Sequence, residues 1–239
     1  MISRLLSCIA FIINADFVVS ITNRNMDNTT RWFFLHGIVN FAIAIISLKG
    51  VVQFFYDPLT AMISNDDGER IFSSNSKWSL TLVVCLHLYH CSGQFKLTYH
   101  DLFHHAIFLP TLAIPGMIFD WGCFSNYLVF FVCGIPGGID YIILALQKTQ
   151  KIFDWNQKRI SANLNMWMRL PGILFAIGVA YVIFIENKYT VPKIPLLFQL
   201  IFMPLNVIFY GKQSVINYTL HQVKDFVPSQ SWSELKKRT

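Results

Sequence analysis

Seven long apolar stretches constrain this sequence more than any other feature. A helix satisfies its own backbone hydrogen bonds and needs about 20 apolar residues to cross the hydrocarbon of a bilayer. Only 13% of the residues are charged, whereas soluble domains carry roughly 25%. The sequence therefore predicts an all-α fold, a polytopic membrane bundle of about seven transmembrane helices in one domain, residues 1–212. The stretches are roughly 2–21, 32–55, 78–91, 102–119, 124–146, 166–185 and 194–210.

Two of these regions allow more than one interpretation. Asn14 and Asp16 interrupt the first stretch, and Arg4 ahead of an apolar run is also typical of a cleaved signal peptide. The third and fourth stretches are short and become polar around residues 89–100, which is typical of a re-entrant or deeply set hairpin shielded by neighbouring protein.

Basic residues predict the orientation of the helices. With seven spans, one side of the membrane collects twelve Lys and Arg and the other side five. Because basic loops stay in the cytosol, the tail of residues 213–239 is expected in the cytosol and the N-terminus outside. These loops account for the net charge of +6, so nucleic acid is not an expected partner. The expected partners are membrane lipids and, as an open alternative, other membrane proteins or a second copy of the chain.

Histidines cluster within a short part of the chain. A polar side chain at membrane depth is costly and usually faces the bundle interior, so its default interpretation is a functional site. Any single histidine can also be a structural hydrogen-bond donor. The clustering favours a site, because five of the seven histidines lie together: His87, His90, His100, His104 and His105.

Depth brings these groups to one level. Residues three or four apart share a helix face, which pairs His87 with His90 and His100 with His104. We expect a cavity bounded by spans three to six and open to the cytosolic leaflet. At about 1.5 Å per residue, six ionisable groups lie within roughly 10–12 Å of the cytosolic boundary: His87, His90, His104, His105, Asp140 and Arg169.

Two carboxylates near the histidines each have two interpretations. Asp101 can accept an imidazole N–H from the next turn, or it can form a capping box with Thr98 at the helix start. Pro136, flanked by glycines, predicts a kink just ahead of Asp140. The kink can turn Asp140 into the cavity, or Asp140 can form a structural ion pair with Arg169, which can also snorkel to the interface.

The segment Asp101-Leu102-Phe103-His104-His105 heads one span, and Asp140-Tyr141-Ile142-Ile143-Leu144, with Lys148 beyond, ends the next. Together they resemble the TLC (TRAM, Lag1 and CLN8 homology) family of multispanning endoplasmic-reticulum proteins, over roughly residues 56–210. This family includes ceramide synthases, which join a fatty acyl-CoA to a sphingoid amine. The chain departs from the synthases at Pro136-Gly137, where they carry His-Asp, and this departure fits the family's lipid-regulating members.

The resemblance implies a lipid-handling protein of the endoplasmic reticulum, with an acyl-CoA-dependent acyltransferase as its enzymatic form. It implies His104 and His105 as the reacting pair and Asp140 as a supporting carboxylate. Acyl-CoA is then a substrate, and no cofactor or metal is expected. The candidate catalytic residues are His104, His105, Asp101 and Asp140, and the candidate substrate-binding residues are His87, His90, His100 and Arg169.

Other functions stay open. The 22 phenylalanines and short loops also suit a non-catalytic lipid-binding or structural subunit of a larger membrane assembly. The segment His87-Leu88-Tyr89-His90-Cys91 resembles the His-x-x-His-His box of fatty-acid elongases, with Cys91 in place of the last histidine. Haem ligation by two histidines of the cluster is a further possibility for an electron carrier.

Overall fold

The computed structural model describes residues 1–22, 26–63 and 68–224, apart from the side chain of His100. Within this part the chain is a bundle of seven helices without a strand, which confirms the predicted all-α fold. Helix α4 has three segments, Tyr99–Phe108, Leu109–Ala113 and Ile114–Ile118. The others are α1 (Ile2–Thr22), α2 (Asn28–Tyr56), α3 (Trp78–His90), α5 (Phe124–Lys148), α6 (Asp154–Ile185) and α7 (Lys193–Val223).

Six of the described helices are long and apolar enough to cross a membrane, so the chain is a multi-pass membrane protein. Helix α3 is the exception, because its 13 residues fall short of the roughly 20 that a full crossing needs. The last helix continues to Val223, beyond the predicted end of the membrane domain at residue 212. The rest of the predicted tail, residues 225–239, lies outside the described residues.

Helix α2 packs against α1, α3 and α5, and α7 packs against α4 and α6. Small residues allow α2 and α5 to approach each other closely. A Cβ atom added to Gly37 of α2 would lie 2.7 Å from the Ile142 side chain, and one added to Gly138 of α5 would lie 3.0 Å from Phe41. Helices in membranes associate through such close contacts, because lipid tails are as apolar as the side chains that they would replace.

Two charged residues of the first stretch, Arg4 and Asp16, are bonded inside the bundle, whereas Asn14 is exposed and donates to the Ala10 carbonyl of its own helix. The buried Arg4 donates to Thr81 Oγ1 at 3.0 Å and to Glu69 Oε1 at 2.8 Å. The buried Asp16 forms an ion pair with Arg31 and accepts a hydrogen bond from the Tyr89 hydroxyl at 2.7 Å. A buried charge needs such partners, so these residues hold α1 against α2 and α3.

Three helices contain a π-helical turn beside a proline. The turns are Leu109–Ala113 in α4, Phe130–Gly134 in α5 and Asn165–Arg169 in α6, next to Pro110, Pro136 and Pro171. Proline lacks an N–H and clashes with the preceding turn, and a wider turn relieves both problems. The irregularity predicted ahead of Asp140 is therefore present, as a π-helical turn.

Candidate functional site

Five imidazole rings from three helices meet at the end of the bundle where α3 ends and α4 begins, which we name the histidine end. Their ring centroids are separated by 5.7 Å for His87 and His104, 4.8 Å for His87 and His105, and 5.4 Å for His90 and His105. His36 of α2, which the sequence analysis did not single out, lies 6.3 Å from His87. The predicted convergence of the histidines is thus observed. The histidine cluster consists of His36, His87, His90, His104 and His105.

A capping box places the α4 histidines. The Asp101 carboxylate accepts a hydrogen bond from the Thr98 backbone N–H at 2.8 Å, and the Asp101 N–H donates to Thr98 Oγ1 at 3.2 Å. These bonds satisfy N–H groups at the start of α4, as predicted. Among the described residues Asp101 makes no hydrogen bond to a histidine, so the structure favours the capping role over imidazole orientation.

Hydrogen bonds orient three of the rings. His87 Nδ1 lies 2.7 Å from the Val83 carbonyl; because a carbonyl only accepts, Nδ1 carries the proton and Nε2 of the neutral ring is an acceptor. His104 Nδ1 lies 3.2 Å from the Tyr210 hydroxyl. His105 Nδ1 lies 3.3 Å from Cys91 Sγ. Partial burial and the Asp101 carboxylate raise the pKa of the Cys91 thiol, so this cysteine stays protonated at neutral pH.

Aromatic side chains hold the other two rings. His90 stacks on Trp32 with a centroid separation of 4.0 Å, and His36 stacks on Tyr141 at 3.7 Å. Both histidines are buried in these stacks. His90 therefore packs behind the cluster and does not line the cavity, and its role in binding substrate stays a prediction.

An apolar cavity begins at the cluster and runs between α3, α4, α5 and α7. His87 and His104 line one end, and Trp121 and Phe124 line the other. From His104 to Gly116 the cavity follows α4 for about 18 Å, at 1.5 Å per residue. Its cavity volume is about 90 Å³, and the whole space between the helices, open mouth included, is about 690 Å³. Most of its wall is aliphatic or aromatic: Leu80, Val83, Phe108, Leu112, Leu128 and Val132.

One wall of the cavity differs from the prediction. Spans three to six were expected to enclose it, but α7 takes the place of α6. Gln199, Met203 and Asn206 lie on one face of α7, and this face lines the cavity. The described residues of α6 line none of the cavity. Two of the three π-helical turns, in α4 and α5, lie in its wall, and such turns are frequent at functional sites.

Asp140 and Arg169 lie apart from the cavity, which corrects their predicted placement. Asp140 follows the π-helical turn of α5, whose extra residue rotates the helix face by roughly 100°, and its electrostatic neighbours are Arg169 and Ser161 of α6. No direct ion pair joins Asp140 to Arg169 in the described ranges. Arg169 instead donates to the Val132 carbonyl at 3.1 Å, within that π-helical turn, and to Asn165 Oδ1 at 2.7 Å.

The remaining predicted positions divide as follows. His105 and Asp101 lie at the histidine end but do not line the cavity. The side chain of His100 lies outside the described residues. Across residues 1–22, 26–63 and 68–224, no group of three or more His, Cys, Asp or Glu side chains is arranged to hold a metal ion. The imidazole groups that face the cavity are therefore those of His87 and His104.

The sequence analysis missed several residues of the site. They are polar residues inside apolar stretches: His36 on α2, and Gln199, Asn206 and Tyr210 on α7. Each is costly at membrane depth, so a search for isolated polar residues throughout the spans would have found them. The histidines of α3 and α4 cluster in the sequence, whereas the polar residues of α2 and α7 are isolated within apolar stretches.

Comparisons of this chain with protein-family models, with curated proteins and with solved structures found no match.

Proposed function

We propose that this protein handles long-chain lipids, holding a hydrocarbon chain in the cavity and transferring an acyl group at the histidine end. The observation that carries the proposal is an apolar cavity about 18 Å long that ends at the imidazoles of His87 and His104. An apolar wall binds a chain without selecting its chemistry, whereas an imidazole is suited to acid–base or nucleophilic catalysis.

His104 is the proposed catalytic residue. An amine or hydroxyl acceptor attacks the carbonyl carbon of an acyl-CoA thioester, the new C–N or C–O bond forms, and the C–S bond breaks. The unprotonated nitrogen of His104 takes the acceptor's proton and returns it to the departing thiolate. The Tyr210 hydroxyl, 3.2 Å from His104 Nδ1, holds the ring.

His87 and His105 are positioning residues in this proposal. Val83 fixes the tautomer of His87, whose Nε2 provides a second acceptor beside the reacting group. His105 packs 5.9 Å from the ring centroid of His104 and does not line the cavity. In this proposal His104 alone takes the reacting role that the resemblance implied for His104 and His105.

The charges at the histidine end suit an acyl-CoA substrate. Helices α5 and α6 meet at this end, and four basic residues lie in their connection or in the adjoining helix ends: Lys148, Lys151, Lys158 and Arg159. These basic residues favour both a cytosolic position and contact with the phosphates of coenzyme A. The likeness of the Asp101–His105 segment to the TLC family supports the same chemistry and an endoplasmic-reticulum location with a cytosolic C-terminus.

The test is made on purified full-length protein. Mass spectrometry of co-purified lipids identifies chains in the cavity, and release of the coenzyme A thiol from a long-chain acyl-CoA, with long-chain amines and alcohols as acceptors, measures transfer. We expect His104→Gln to abolish transfer and His221→Gln, a histidine substitution outside the cavity, to leave it unchanged. Leu112→Trp should displace the lipid by filling the cavity.

Two results contradict parts of the proposal. Bound lipid with no transfer by the wild-type protein would favour the non-catalytic lipid-binding alternative. Lipid content that Leu112→Trp does not reduce would show that the chain binds elsewhere, and the proposal would be abandoned.

A further inference from the structure

Two amide side chains line the apolar cavity and have acceptor oxygens without a partner among the described residues. Gln199 and Asn206 of α7 both line the cavity, and the two residues are only 4% and 6% exposed. The oxygens Gln199 Oε1 and Asn206 Oδ1 are buried and accept no hydrogen bond from the part of the chain that the structure describes. A buried acceptor without a donor is unfavourable, and most such groups in proteins are paired.

The amide of Gln199 is fixed in place. Its Nε2 donates to the Leu112 carbonyl at 3.2 Å, in the π-helical turn of α4. This bond uses one N–H of the amide and leaves its buried acceptor oxygen unpaired beside the cavity. A leucine at this position would fill similar space at lower cost, so the oxygen indicates a donor on the occupant.

Gln199 and Asn206 line the cavity with the apolar Met203 between them, and the same face of α7 continues to Tyr210 at His104. Gln199, Met203, Asn206 and Tyr210 are spaced four, three and four residues apart, which places them on one helix face. Measured from Tyr210, which contacts His104, Asn206 lies about 6 Å away along α7 and Gln199 about 16 Å away, at 1.5 Å per residue. The two acceptors therefore lie at separate depths below the proposed reacting group.

We propose that the lipid bound here carries hydroxyl groups within its hydrocarbon chain, which donate to Gln199 and Asn206. This inference rests on the proposed function, since it assumes a chain in the cavity with its reacting group at His104. An extended chain advances roughly 1.2 Å per bond. The hydroxyl that meets Gln199 lies roughly a dozen or more bonds from the reacting group, and the one that meets Asn206 roughly five.

Competition binding on the purified full-length protein tests the inference without any variant. Stearate and 12-hydroxystearate compete with a radiolabelled long-chain fatty acid for the cavity. We expect the hydroxylated chain to bind about 10-fold more tightly, since one hydrogen bond to an otherwise unmet acceptor accounts for such a factor. A chain with its hydroxyl near carbon 6 should show a similar preference through Asn206.

Variants assign the preference to the amides. Gln199→Leu should remove the preference for 12-hydroxystearate while stearate binding persists, and Asn206→Leu should remove the preference for the chain hydroxylated near carbon 6. Asn217→Leu, which removes an exposed amide from the same helix, should keep both preferences. If Gln199→Leu does not fold, Asn206→Leu and the comparison of chains on the wild-type protein still decide the outcome.

Each result is interpretable. Equal binding of plain and hydroxylated chains to the wild-type protein would overturn the inference, because water would then satisfy the acceptors, and it would leave the proposed lipid site intact. If neither chain bound the wild-type protein, the proposed function would fail, and this inference with it.

Discussion

Loss of the Asp16 carboxylate should destabilise the bundle by disconnecting α1. Asp16 accepts hydrogen bonds from Arg31 Nε at 2.6 Å and from the Tyr89 hydroxyl at 2.7 Å, and it forms an ion pair with Arg31. Removing one partner of a buried ion pair costs about 3–5 kcal/mol. The Arg31 side chain is 27% exposed, so water compensates part of its charge, and we expect about 2–3 kcal/mol for Asp16→Leu.

A double-mutant cycle separates the ion pair from the packing of α1. Asp16→Leu combined with Arg31→Met leaves no unpaired charge, and we expect the two substitutions to couple by about 1–2 kcal/mol. Reversible unfolding in mixed detergent and lipid micelles measures each free energy. Glu186→Leu is the control, because it removes an exposed carboxylate paired with Lys188 and should cost about 0–0.5 kcal/mol.

A coupling near zero would refute this reasoning about α1. If Asp16→Leu were also no more harmful than Glu186→Leu, α1 would not be held in the bundle by this network, and the signal-peptide interpretation of the first stretch would gain support. Mass spectrometry of the mature N-terminus would then decide between a retained and a cleaved first helix.

The remaining predictions concern packing, capping and the histidine end. Gly37→Val should destabilise the protein by about 1–3 kcal/mol, because its side chain would overlap an α5 isoleucine, while Gly178→Val, which meets open space, should have little effect on the same unfolding measurement. Asp27→Ala should cost about 1 kcal/mol by removing the N-cap of α2. The Thr30 backbone N–H donates to Asp27 and lowers the pKa of its carboxyl in the folded protein. The cap therefore stabilises fully above a pH of about 4, and its stabilisation is lost as the pH falls through the pKa of Asp27 in the folded protein. A stability difference between the wild type and Asp27→Ala that does not change over this pH range would contradict the cap. Tyr210→Phe should lower kcat for acyl transfer several-fold with little change in KM, since it frees the His104 ring without altering the apolar wall; an unchanged kcat would exclude the orienting role.

The helical fold could be predicted because apolar length is a strong signal in membrane proteins. Stretches of about 20 residues located the long helices, and the Thr98–Asp101 spacing located the start of α4. These are local properties, which a single helix fixes by its own geometry.

The arrangement between helices could not be predicted in the same way. Nothing in the spacing of α7 shows that its Gln199 face replaces α6 in the cavity wall, because neighbouring helices in a bundle are chosen by packing. The position of Asp140 beside Arg169, away from this cavity, has a related cause. A π-helical turn adds one residue to the helix and rotates everything beyond it, so counting at 3.6 residues per turn assigns the wrong face.

The π-helical turns of α4 and α5 also determine how the shape of the cavity can change between related sequences. Substituting one lining side chain alters the width of the cavity at one level only. Deleting one residue from a π-helical turn restores the regular α-helix and rotates the whole remaining length of that helix against its neighbours. A one-residue deletion between Leu109 and Ala113 would thus turn a different face of α4 toward the cavity, from the deletion to Ile118, without any substitution in that segment.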